Sequence, residues 1–145
     1  MAADGQAAAE KLRRQRLAGA RSAVLGTVKP DGDPHLVPCC FVFAEEPDRI
    51  YSAIDGKPKS TTALQRLANI EANPTGSLLI DHFDEDWSAL WWVRVDGPAR
   101  VIAAGPEHTA AIDLLAEKYE QYQLARPIGA VVTIAVNRWR SWSAS

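Results

Sequence analysis

The chain has 145 residues, 47% of them hydrophobic and 23% charged, with 16 Lys and Arg against 18 Asp and Glu for a formal charge of −2. This length and composition fit one domain, residues 1–145, with a packed core, and exclude a disordered chain. The slightly acidic balance argues against a general nucleic-acid binder, which needs a clear basic excess, but leaves room for a local anion pocket.

Residues 1–6 read as a loose N-terminal tail, and residues 7–19, rich in Ala, Lys, Arg, Gln and Leu, as a helix that stops at Gly19. Lys11, Arg13, Arg14, Arg16 and Arg21 are followed by no apolar segment of signal-peptide length, and no run approaches a membrane span. The expectation is a cytoplasmic protein without membrane or nucleic-acid partners. Residues 22–28 read as a strand and Lys29-Pro30-Asp31-Gly32-Asp33-Pro34 as a turn, since prolines fix φ and Asp-Gly supplies the bend. Residues 35–43, almost all apolar, complete a hairpin. Cys39 and Cys40 are adjacent on that strand and point to opposite faces, so a mutual disulfide is not expected and reduced thiols are.

Glu45-Glu46-Pro47-Asp48 is a second turn and residues 49–54 a third strand. Then comes the most informative stretch, Asp55-Gly56-Lys57-Pro58-Lys59-Ser60-Thr61-Thr62. Two lysines and three hydroxyls gather where a strand hands over to a helix. Such a junction offers backbone N–H groups, a positive helix end and point charges to a phosphate. The competing reading is a solvated basic loop.

The helix over residues 61–72 carries Leu64, Leu67 and Ala68 at i, i+3, i+4 spacing and stops at Asn73-Pro74. Residues 76–83 and 89–102 read as strands, the second alternating Trp91, Val93, Val95 with Trp92, Arg94, Asp96. Gly97-Pro98 within it predicts a bulge or sharp bend. Pro106 opens a helix running to about residue 122, and residues 128–143 form a last strand. This order predicts a mainly β protein: a small closed or split β-barrel with peripheral helices.

Catalytic and metal constellations are not expected. His35, Cys39, Cys40 and His82 have no ligand spacing, and the acidic run at 81–86 lacks the glycine and terminal glutamate of a calcium loop. There is no Gly-x-Ser-x-Gly elbow and no GxGxxG, and in Gly56-Lys57-Pro58 the proline occupies the place where a P-loop requires Ser or Thr. Cys39 and Cys40 lie in an apolar strand that disfavours a thiolate. Five tryptophans, three of them at 87, 91 and 92, serve packing or line a slot for a flat ring. A cofactor with a planar head and an anionic tail would use both the slot and the basic loop.

Several segments together resemble the split-barrel flavin and deazaflavin oxidoreductases, the pyridoxamine 5′-phosphate oxidase-like superfamily, and within it the group using coenzyme F420. They are Ala23-Val24-Leu25-Gly26-Thr27-Val28 with His35-Leu36-Val37-Pro38, then Ile50-Tyr51-Ser52-Ala53 followed by Lys57-Pro58-Lys59, and Asn69-Ile70-Glu71-Ala72-Asn73-Pro74. Asp81 to Trp87 and Leu90 to Ala99 complete the likeness, which covers nearly the whole chain. The resemblance implies an FMN-binding split barrel and a homodimer with cofactor at the subunit interface. It implies a tail phosphate held by Lys57 and Lys59 with Ser60, Thr61 and Thr62, and a ring along the second and third strands near Pro38, Cys39 and Ser52. Trp87, or Trp91 beside it, would approach the ring or the substrate above it. The activity implied is hydride transfer between reduced deazaflavin and an unsaturated or quinone-like small molecule, with no dedicated catalytic acid or base. FMN-dependent chemistry and non-catalytic binding of a flavin, deazaflavin or haem are the alternatives. Two lysines stand here where relatives often carry an arginine, so a point charge replaces a bidentate fork.

Overall fold

The computed structural model describes residues 2–54 and 61–145. Among the described residues, eight strands make one antiparallel sheet: β1 Ala23–Val28, β2 Pro34–Cys39, β3 Val42–Ala44, β4 Arg49–Ala53, β5 Thr75–His82, β6 Trp91–Ile102, β7 Val131–Ala135 and β8 Arg138–Ser143. Their order is β2-β1-β5-β6-β7-β4-β3, with β8 also paired to β6. Helices α1 (Ala2–Gly19), α2 (Thr61–Ala72), α3 (Pro106–Lys118) and α4 (Glu120–Leu124) lie at the periphery. This is a split barrel, as the element order predicts.

Strand alternation builds the core. On β1, Ala23, Leu25 and Thr27 point inward, while Leu78 and Ile80 of β5, Val93 and Val95 of β6 and Ile134 of β7 face them. Leu17 of α1 and Ile70 of α2 plug this interior from outside the sheet. Each such aliphatic side chain contributes about 1.5–3 kcal/mol by leaving water. A second, smaller core lies beneath α3, where Ile112 and Leu115 pack on Tyr51 and Val131.

Several boundaries differ from the sequence reading. Residues 2–6 are helical rather than loose, because alanines and glutamine continue the helix and Asp4 complements its positive end. Residues 35–43 form two strands, β2 and β3, broken at Cys40-Phe41. Phe41 is fully buried, and its backbone is satisfied by side chains instead of a ladder. Its N–H donates to Tyr119 Oη at 3.1 Å and its carbonyl accepts from Lys118 Nζ at 2.8 Å. The helix after Pro106 breaks at Tyr119, the residue that makes this contact, and the last strand breaks at Val136-Asn137. The fifth predicted strand starts at Trp91 because residues 87–89 form a 3-10 turn capped by Asp86.

No bulge interrupts β6 at Gly97-Pro98. Its register with β5 runs unbroken from His82↔Trp91 to Thr75↔Pro98. On its other edge β6 changes partner there, from β8 (Asp96↔Arg138) to β7 (Ala99↔Ile134). The β7–β8 corner presses against Gly97 so closely that a Cβ would stand 1.8 Å from the Ala135 carbonyl oxygen.

Candidate functional site

The ends of the hydrogen-bonded path, β2 and β3, are consecutive in the chain yet do not pair with each other. A cleft of about 280 Å³ opens beside this seam. Pro38, Cys39 and Cys40 line it from the β2 end, Ala53 from β4, Arg66 from α2, and Tyr122 from α4. Next to it, the buried Ser52 hydroxyl donates to the Cys40 carbonyl at 2.7 Å and fixes the chain between the two strands.

The described residues lining the cleft offer no evident acid or base. Burial pushes the Cys39 thiol up to about 11, so at neutral pH it is protonated and a poor nucleophile. Lys118, behind the seam, is pulled down to about 8 by burial first and by the nearby Arg21 charge second. No carboxylate and no histidine is among the described lining residues. The described residues also contain no His, Cys, Asp and Glu group arranged to hold a metal ion.

The residues singled out by sequence distribute unevenly. Pro38 and Cys39 line the cleft and Ser52 supports it. Lys57, Lys59 and Ser60 lie outside the described residues; Thr61 and Thr62 open α2, at the helix end whose free N–H groups favour an anion. Neither Trp87 nor Trp91 lines the cleft. Trp87 is 68% exposed. Trp91 stacks on His82 with centroids 5.8 Å apart, and the Arg16 guanidinium lies 4.5 Å from its ring centroid.

Arg66 is the residue that sequence reasoning missed. The i, i+3, i+4 spacing is present on α2, but the buried set is Arg66, Asn69 and Ile70, and Leu64 is 54% exposed. Asn69 turns the helix this way: its side-chain amide donates to Thr27 Oγ1 at 3.0 Å and accepts from Gln65 at 2.7 Å. A helix scored by apolar residues alone gives no signal for that rotation.

A second surface is notable. The outer face of β2-β1-β5-β6-β8 sets Leu36 (72% exposed) beside Gly26, and Pro38 and Leu79 on either side of Val24. Farther along the same face Trp92 sits opposite Trp142 and Asp81, with Arg94 and Asp96 paired at 3.0 Å. Among the described residues, no helix is long and apolar enough to cross a membrane.

A family model described as pyridoxamine 5′-phosphate oxidase matches residues 9–143. Solved structures with the same fold include the conserved hypothetical protein Rv2991 of Mycobacterium tuberculosis, 22% identical over 88% of this chain and 79% of that one, with a TM-score of 0.69. HupZ of Group A Streptococcus is 19% identical over 88% and 90% of the two chains, with a TM-score of 0.64. A FAD-binding protein of Mesorhizobium loti is 18% identical over 86% and 87%, with a TM-score of 0.65. No curated protein gives a significant match.

Proposed function

This chain belongs to the pyridoxamine 5′-phosphate oxidase family, and from that premise we propose a cytoplasmic, homodimeric oxidoreductase. Its cofactor is coenzyme F420, and it passes hydride between the reduced deazaflavin and an unsaturated or quinone-like small molecule. The observation that carries this reading is the seam cleft, which joins an apolar floor at Pro38 and Cys39 to a cation and, among the described residues, contains no acid–base pair. A protein that orients a self-sufficient hydride donor needs little else. Lys57 and Lys59, with Ser60, Thr61 and Thr62 at the start of α2, hold the tail phosphate in this reading.

The family itself and the FAD-binding relative favour a second reading, in which the cofactor is FMN. Titration of the purified protein with coenzyme F420 and FMN side by side separates the two. Binding of FMN alone moves the assignment to flavin chemistry. Binding without bleaching of the reduced cofactor by any quinone or enone acceptor makes the protein a carrier. If neither cofactor binds, the site assignment fails.

The homodimer is supported by the outer sheet face, because Leu36, Leu79 and Trp142 are more apolar surface than a solvated sheet needs. An interface of at least about 1,000 Å² is expected, with a dimeric mass in light scattering at micromolar concentration. Leu36→Asp should shift that mass toward the monomer; a monomeric wild type would overturn the assignment.

In this reading the exposed Trp87 approaches the ring bound at the subunit interface. Its fluorescence should be quenched in the cofactor titration, and Trp87→Phe should remove most of that signal. An unchanged signal would leave Trp87 as a surface side chain.

A further inference from the structure

Arg66 projects from the second turn of α2 into the seam cleft and is only 9% exposed. Its Nε is sealed from solvent without a hydrogen-bond partner, and among the described residues nothing accepts from the guanidinium. A sealed guanidinium N–H left without an acceptor carries an unmet desolvation cost. Around it stand Pro38, Ala53, Tyr122 and the Cys39 thiol, which burial keeps neutral. The two polar side chains beside it on the helix, Gln65 and Asn69, are committed to each other and to Thr27. Among the described residues, the fold holds a cation facing a cleft and offers no hydrogen-bond acceptor for it.

The cleft volume, about 280 Å³, lies just below the range of ligand pockets, about 300 to 1,000 Å³. It accommodates a ring and leaves the remainder of a large cofactor outside. The complementary fragment is therefore a flat ring with a negative or strongly accepting edge. A pyrimidinedione edge, with N1 beside the C2 carbonyl, presents two neighbouring acceptors to the planar guanidinium fork. When the ring gains a hydride from a donor, two electrons and one proton arrive together, and the added negative charge rests on that edge.

We propose that Arg66 holds the N1–C2 carbonyl edge of the flavin or deazaflavin ring and binds the reduced form more tightly than the oxidised one. The inference rests on the cofactor reading above and deepens it. It makes Arg66 a redox-tuning contact, separate from the phosphate contacts at residues 57–62, whose ligand charge does not change on reduction.

The test compares wild type, Arg66→Met and Arg66→Lys with FMN and coenzyme F420 as probes, measuring affinity, the potential of the bound ring by dye equilibration, and thermal unfolding of the unloaded protein. Arg66→Met should bind the oxidised ring about tenfold more weakly and the reduced ring about a further tenfold. That differential corresponds to a potential lowered by about 30 mV. Arg66→Lys should recover part of the potential, since the charge returns without the fork. Unloaded Arg66→Met should melt at or above the wild-type temperature, because a sealed N–H without an acceptor has been removed. Equal losses for both oxidation states would assign Arg66 to the phosphate and overturn the proposal. So would wild-type binding by Arg66→Met, or a lowered melting temperature accompanying its loss of binding, which marks a structural role. A wild type that binds neither probe overturns the cofactor reading itself, and the proposal falls with it.

Discussion

Gly97→Ala is expected to lose about 4 kcal/mol or more, most of the 5–15 kcal/mol margin of a typical domain. The added Cβ would stand 1.8 Å from the Ala135 carbonyl oxygen and 2.8 Å from its carbon, both backbone atoms. They cannot swing aside, because they belong to the corner where β6 exchanges β8 for β7. Relief requires breaking the Asn137 N–H to Asp96 carbonyl bond, 3.0 Å long, and parting the strands. Gly26→Ala is the control: its Cβ would meet Leu36 Cδ2 at 3.3 Å, the end of a flexible exposed side chain. That change should cost no more than about 1 kcal/mol. Urea unfolding of both variants reads the difference, and a Gly97→Ala protein with a wild-type midpoint would overturn the account.

Lys59→Ala is expected to weaken cofactor binding about 10- to 150-fold, the equivalent of losing a charge-assisted hydrogen bond worth about 1.5–3 kcal/mol. Lys57→Ala should act similarly, and the double variant should lose less than the sum if both lysines serve one phosphate. Wild-type affinity should fall as salt is added, since partly exposed charges are screened. Folding should change by no more than about 0.5 kcal/mol in either single variant. Isothermal titration at two ionic strengths measures all of this. Lysine variants that bind as tightly as the wild type would remove Lys57 and Lys59 from the cofactor site.

The sequence was most legible where periodicity and breakers agreed. The hairpin of β1 and β2, the alternation of β6 and the start of α3 at Pro106 all follow from local chemistry, and they suffice to predict a barrel with outer helices. Breaks caused by distant partners were not legible. The chain departs from a ladder at Phe41 because Tyr119 and Lys118 reach it from 78 and 77 residues away, and no local pattern announces them. The same limit hid Arg66. Its burial depends on Asn69 finding Thr27 across 42 residues, a pairing that turns α2 away from the face its leucines suggest. The cleft floor at Pro38 and Cys39 could be named in advance only through the family resemblance. The cation in its wall could not.

The seam also bears on how the cleft can be adjusted. Along the path from β2 through β1, β5, β6, β7 and β4 to β3, neighbouring strands are spaced by backbone ladders about 4.8 Å apart whatever the side chains. Between β2 and β3 the connecting dipeptide is held by side chains, the Ser52 hydroxyl on Cys40 and a tyrosine hydroxyl and a lysine ammonium on Phe41. These are the lengths that substitution can alter. A shorter or longer side chain at 118 or 119 resets the aperture from behind while the surfaces that meet a ligand stay as they are. The end of α3 thus works as an adjusting screw on a frame that is otherwise rigid.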